Sequence, residues 1–225
     1  MSEWWTYTLS DFLLFSPRTY YRLFELHNGS LWPAHLAALA AGVAILALAA
    51  RGGPARGRIV AALLAACWAW VAWSFLYTRY ATINWAATWF AGLFLVQAVL
   101  LVVVGTLGGK LDLAAGRPWR LGLFFFALAV QPLAGVLAGR DWAQVEVFAM
   151  TPDPTAVGTL GIAALASGPW RWGLMVIPVL WCMASGATLW TMEAPDALVP
   201  PAAALAALVI AVRRNREHDA LADLR

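Results

Sequence analysis

The sequence predicts an all-α integral membrane protein: a bundle of seven transmembrane helices, with six as the alternative, preceded by an amphipathic helix in the membrane interface. Three observations predict it. Of 225 residues, 62% are hydrophobic and 12% charged, against roughly 25% charged in a soluble domain. Seven apolar runs of helical length are separated by short polar connections. The basic residues fall in alternate connections. The 14 Trp fit the same picture, because many stand near the ends of the runs, where indole rings settle at a membrane edge. A net charge of +3, split among loops, is no nucleic-acid face.

Residues 1–30 are too polar to span and form the interfacial segment. Ser10-Asp11 opens a short apolar run, Phe12–Phe15. Ser16-Pro17 then reads as N-cap and first turn of a helix that Asn28-Gly29 ends. Arg18, Arg22 and Glu25 share one face of that helix, while Tyr20, Leu23, Phe24 and His27 lie on another. Such a helix, beside Trp4 and Trp5, lies in the interface or caps the bundle. MSEWWTYTLS has no basic residue, so it lacks the n-region of a signal peptide and is expected to be retained.

The bundle is expected over 31–212, and 213–225 form a cytoplasmic tail. The first run, Leu31–Ala50, carries Ala34, Ala38 and Gly42 at the spacing that lets helices approach closely. The second is Ile59–Tyr77 and the third Trp85–Thr106, with Gln97 at its middle. The fourth, Leu121–Ala138, has a kink signal at Gln131-Pro132. The fifth is a short helix after Asp153. The sixth, Trp172–Trp190, contains Pro178, and the seventh, Pro195–Val212, contains Pro200-Pro201. Cys67 and Cys182 both lie inside apolar runs and read as buried free thiols.

Orientation follows from charge. Arg51, Arg56, Arg58, Lys110, Arg117, Arg120, Arg171, Arg213, Arg214, Arg216 and Arg225 fall on one side; only Arg18, Arg22, Arg79 and Arg140 fall on the other. The richer side is cytoplasmic by the positive-inside rule, which puts the N-terminus outside.

The stretch that interrupts the apolar sequence is Met150–Gly161, MTPDPTAVGTLG. Asp153 before Pro154 reads as an N-cap before an N1 proline. A helix from Pro154 to Pro169 would measure about 24 Å, short of a hydrocarbon core about 30 Å thick. Asp153 is therefore expected just inside the outer boundary, at the positive end of a helix.

The outer side also collects Glu3, Asp11, Glu25, Asp141, Glu146, Glu193 and Asp196, a field that attracts cations. The expected site draws on Asp153, Glu146 and Glu193, with Arg79, His27 and His35 nearby. No charged residue stands at the centre of a run, where coupled transporters usually keep one. Gln97, Gln131, Ser74, Ser185 and Thr188 supply the polarity there. Met150, Met183 and Met192 have no copper-binding spacing, and no His/Cys cluster, HExxH, GxSxG or phosphate loop appears. No metal, no cofactor and no catalytic residue is expected.

At Phe15–Asn28 (FSPRTYYRLFELHN), Trp32-Pro33 and Thr151–Gly161 (TPDPTAVGTLG), the sequence resembles an uncharacterised family of small bacterial multi-span inner-membrane proteins, catalogued as a domain of unknown function. The resemblance implies a bacterial membrane location and brings no activity, ligand or catalytic residue with it. The function expected is a small permease or binding protein for a cation or small neutral molecule, with an outer vestibule near Asp153. The alternatives are a non-catalytic accessory subunit of a larger membrane complex and, last, a membrane enzyme on a lipid-like substrate using Asp153, Glu146 or His35. Membrane lipids, a partner membrane protein or a second copy are the expected partners, and nucleic acid is not.

Overall fold

Ser16 opens the first helix as its N-cap, its Oγ accepting from Thr19 N at 3.2 Å with Pro17 in the first turn. The computed structural model describes residues 15–113, 118–137 and 139–222. Residues 1–14, with Trp4, Trp5 and the run opened by Ser10-Asp11, lie outside the described residues, as do Arg117 and Arg225. Helix α1 spans Pro17–Ser30 and buries Tyr20, Leu23, Phe24 and His27. That is the face the sequence separated from the charged one. The helix runs past Asn28-Gly29 by one turn position before Leu31 caps it.

The described residues are all-helical, without a strand. Helix α2 spans Ala34–Arg51 and α3 spans Pro54–Val71, continuing as a π-helical turn, Ala72–Tyr77. Helix α4 spans Ala87–Leu100 and likewise continues as a π-turn, Leu101–Leu107. Next come α5, Gly122–Phe125, a π-turn at Phe126–Val130, and α6, Gln131–Leu137. Pro132 offers no N–H to the carbonyl four residues back, so the helical ladder loses its register just ahead of it. The Gln131-Pro132 signal therefore marks a π-turn. Helices α7, Pro152–Ala163, α8, Trp170–Thr191, and α9, Val199–Ala222, follow. Pro178 lies inside α8.

Each of the seven apolar runs is helical, but they differ in reach. By length and composition four can cross a membrane: Ala34–Arg51, Pro54–Thr82, Ala87–Leu107 and Trp170–Thr191. The stretch Gly122–Leu137 is shorter. Helix α7 has 12 residues, about 18 Å. Seven crossings are therefore not met by length alone.

Hydrogen bonds gather the connections at two ends. At one end Arg79 Nη2 donates to Ser30 Oγ at 2.7 Å, Asn28 Nδ2 to Val145 O at 2.9 Å, and Gln144 Nε2 to Glu25 at 2.7 Å. At the other, Gly53 N donates to Leu113 O at 2.7 Å, Ser167 N to Asp112 O at 2.9 Å, and Arg171 to Asn215. Successive helices thus run up and down between an Asp153 end and an Arg171 end.

Helix α7 is the pillar of this arrangement, for all 12 of its residues are buried. Its glycines set the packing. A Cβ on Gly161 would stand 2.8 Å from Phe124 N and 3.2 Å from Leu123 C, and backbone cannot swing away. Gly161→Ala is expected to cost about 1–3 kcal/mol by overpacking, read as a lower thermal midpoint in detergent. Gly92→Ala, on a helix position with nothing within 4 Å, is expected to be neutral or slightly stabilising. Equal midpoints for the two variants would show that α7 and α5 separate freely.

Candidate functional site

A buried helix start is a problem of unpaired N–H groups, and TPDPT solves it. An α-helix leaves its first four N–H groups without intrahelical partners. Here Pro152 and Pro154 have none, and Thr151 N donates to Val147 O at 3.0 Å. Only the Asp153 N–H is left. Thr151 is the N-cap, at φ −129° and ψ 158°, with Pro152 in the first turn and Asp153 after it. The expected N-cap role of Asp153 is therefore corrected: the helix begins two residues earlier than Pro154 and frees the carboxylate for other work. The helix also stops at Ala163, six residues before the expected Pro169, because Ala166 bridges to Leu113 at the Arg171 end.

The chain reaches α7 as a buried, largely non-helical segment. Glu146, Phe148, Ala149, Met150 and Thr151 are all buried. Irregular backbone at such depth needs partners from the protein itself. Ala149 turns at φ 61°, and its N–H donates to Thr155 Oγ1 at 2.9 Å. His27 Nε2 donates to Met150 O at 2.9 Å, and Asn28 Nδ2 donates to Ala143 O and Val145 O. Helix α1 is thereby fastened over the segment.

The Asp153 carboxylate is 2% exposed and fully engaged. Trp181 Nε1 donates to Oδ1 at 2.7 Å and Ser185 Oγ donates to Oδ2 at 2.6 Å, both from α8. Trp181 is itself clamped edge-on by Phe90 and Phe94. Glu146 lies beside this pair. Arg140 Nη1 donates to Glu146 Oε1 at 2.8 Å and Nη2 donates to Asp196. The Arg140 guanidinium sits 4.8 Å over the Tyr21 ring of α1. Gln131, Glu146, Asp153, Asp196 and Arg140 line one small cavity, together with Gly135 and Pro200.

Two carboxylates of this cluster pair with its one guanidinium, and Asp153 is the third acid on the cavity. Glu146 and Asp153 are both buried, and of these two Arg140 bonds only Glu146. Burial and the same two carboxylates, Glu146 first, hold the Tyr20 hydroxyl well above its usual range. Tyr20 and Tyr21 thus roof the cluster from α1.

Of the residues expected in the site, Asp153 and Glu146 come together. His27 and His35 stand apart, on the seam between α1 and the buried segment, where His35 Nε2 donates to Asn28 Oδ1 at 3.1 Å. Arg79 is bound to Ser30, and Glu193 is exposed at the end of α8, at φ 55°. Arg140, Asp196, Gln131, Trp181 and Ser185 were missing from the expected site. Proximity in sequence offered no signal for Asp196, 56 residues from Arg140. Gln131 and Ser185 did stand out as polar residues inside apolar runs. Met183 is exposed while Met150 and Met192 are buried. Among the described residues no three His, Cys, Asp or Glu side chains come together as a metal site.

Residues 18–222 match a family described as a family of unknown function, DUF6064. The chain belongs to this family. The match runs from the second residue of α1 to the end of α9, so this DUF6064 chain carries the α1 roof, the buried segment and the acid cluster all within the family region. No curated protein and no solved structure matches it.

His27 gives the DUF6064 chain a pH-sensitive fastening. Burial lowers its pKa from 6.5 to about 4. The folded value lies below the unfolded one, so the stability it supplies is present above about pH 6.5 and is lost as pH falls through about 4. The loss is expected to approach 3 kcal/mol, at about 1.4 kcal/mol per pKa unit. His27→Gln keeps a donor for Met150 O and does not titrate. The thermal midpoint of wild type should therefore fall relative to that of His27→Gln between pH 7 and pH 4. A constant difference would contradict the burial argument.

Proposed function

We propose that this chain is a seven-span membrane protein, N-terminus outside and tail cytoplasmic, that works as a small permease or binding protein for a small cation. The supporting observation is an excess of carboxylates around one cavity: the buried Asp153 and Glu146, with half-buried Asp196, against Arg140 alone. A buried charge excess is costly unless it is compensated, and a bound cation or proton compensates it.

The membrane reading has its own support. Trp32, Trp73, Trp85, Trp89, Trp142 and Trp190 are exposed and belong to the Asp153 end, as an aromatic belt would. Among the described residues Arg51, Arg56, Arg58, Lys110, Arg120 and Arg171 stand at the other end. In this reading α7 and its buried approach segment together take the depth of one crossing, as the interrupted helices of transporters do. Helix α1 lies on the outer surface as a roof. A lipid-processing enzyme is less well supported, because its acid or base would have to reach the bilayer and Asp153 and Glu146 are both buried.

Reconstituted vesicles test the reading. Flux of protons, ammonium, sodium and potassium should be measured against protein-free vesicles, with ligand-dependent thermal stabilisation as the readout for a binding protein. At least one cation should give a signal that Asp153→Asn removes. If every cation behaves as in protein-free vesicles and none stabilises the protein, the cation reading is wrong.

A further inference from the structure

The cavity beside Asp153 has a volume of about 10 Å³, room for a single water-sized particle. Two acceptors of its lining residues are unsatisfied: Gln131 Oε1 and Asp196 Oδ1 are both buried without a partner. Gln131 is 8% exposed, so solvent does not supply the missing donor. Buried acceptors of this kind are normally paired. Arg140, the cation of the cluster, already gives its two terminal nitrogens to Glu146 and Asp196.

An occupant therefore needs hydrogens to donate, and charge narrows it further. Arg140 offsets one carboxylate. The N-terminus of α7, with its partial positive charge, supports Asp153. Negative charge remains. A bare metal ion would need several oxygens converging on it, whereas both Asp153 oxygens are already taken by Trp181 and Ser185. The carboxylates do not converge as a metal site among the described residues.

We infer that this site takes a water-sized monovalent cation that donates hydrogen bonds, of the ammonium type, held by Gln131 Oε1 and Asp196 Oδ1 within the field of Glu146 and Asp153. This rests on the cation reading and names its ligand class. Ammonium offers four N–H donors. Potassium has a similar size and none.

The test is thermal stability of the purified full-length protein in detergent at pH 7, titrated with ammonium, potassium, sodium or tetramethylammonium chloride at one ionic strength. Ammonium should raise the midpoint saturably, with potassium weaker by about tenfold or more because it leaves both acceptors unpaired. Gln131→Leu should weaken the ammonium response by about tenfold, and Asp153→Asn should abolish it. The selectivity among the four salts is read on the wild type, so it stands even where a variant folds poorly. Equal stabilisation by potassium and ammonium, lost in Asp153→Asn, overturns the donor argument and leaves the cation reading intact. An ammonium response that survives in both variants overturns the location. No response to any of the four salts overturns the inference, and the vesicle fluxes then decide the broader reading separately.

Discussion

Arg140→Met is expected to lower stability by about 3–5 kcal/mol, the usual cost of leaving a buried charge without its partner. The arginine pairs with Glu146 at 2.8 Å and with Asp196, and its side chain is only 7% exposed, as is that of Glu146. Removing it strands negative groups beside Asp153 and also takes the cation from the face of Tyr21. The expected result is a sharply lower thermal midpoint and loosening of α1, read by faster amide exchange in Pro17–Ser30. A double variant, Arg140→Met with Glu146→Gln, should recover part of the loss, because it removes one of the stranded charges. Additive losses in that double-mutant cycle would mean that Arg140 and Glu146 do not interact.

Asp153→Ala and Asp153→Asn are expected to part company. Alanine leaves the Trp181 indole N–H and the Ser185 hydroxyl buried without an acceptor. At about 1–3 kcal/mol for each stranded group, the loss should be several kcal/mol. Asparagine is different, because a hydroxyl both donates and accepts. Its Oδ1 keeps the Trp181 bond, and its Nδ2 donates to Ser185 Oγ. Asp153→Asn should therefore fold with little loss while removing the charge. This separates structure from function at one residue. Were Asp153 a simple helix cap, Asn would preserve every property, since it caps about as well. Loss of the cation response in a stable Asp153→Asn protein, beside an unstable Asp153→Ala protein, is the expected pair of outcomes.

Much of the helical plan was legible, for physical reasons that are local. Ser16-Pro17 names its own helix start, because a hydroxyl and a proline satisfy the first turn without any tertiary partner. The split of α1 into a charged face and the Tyr20, Leu23, Phe24, His27 face follows from helical periodicity alone. The Gln131-Pro132 disturbance was legible for the same kind of reason, although its form as a π-turn was not. TPDPT was less transparent. Two prolines flank Asp153, and either Asp153-Pro154 or Thr151-Pro152 makes a valid cap pair. The choice fell to Thr151 because burial requires that few N–H groups be left over and that the carboxylate turn to α8.

By itself the sequence determined an all-helical chain of apolar segments, and it marked Asp153 and Glu146 as acids out of place among them. Composition and periodicity suffice for that, since each apolar residue reports its own preference for burial. Only the tertiary structure decided that Glu193 and Arg79 stand apart and that Arg140, Asp196, Gln131, Trp181 and Ser185 complete the site. Those residues lie on separate segments of the chain, and a side chain carries no local record of which distant partner will face it. Their meeting depends on how α6, α8 and the residues before α9 pack around the buried start of α7, and that packing is set by close approaches such as Gly161 on Phe124.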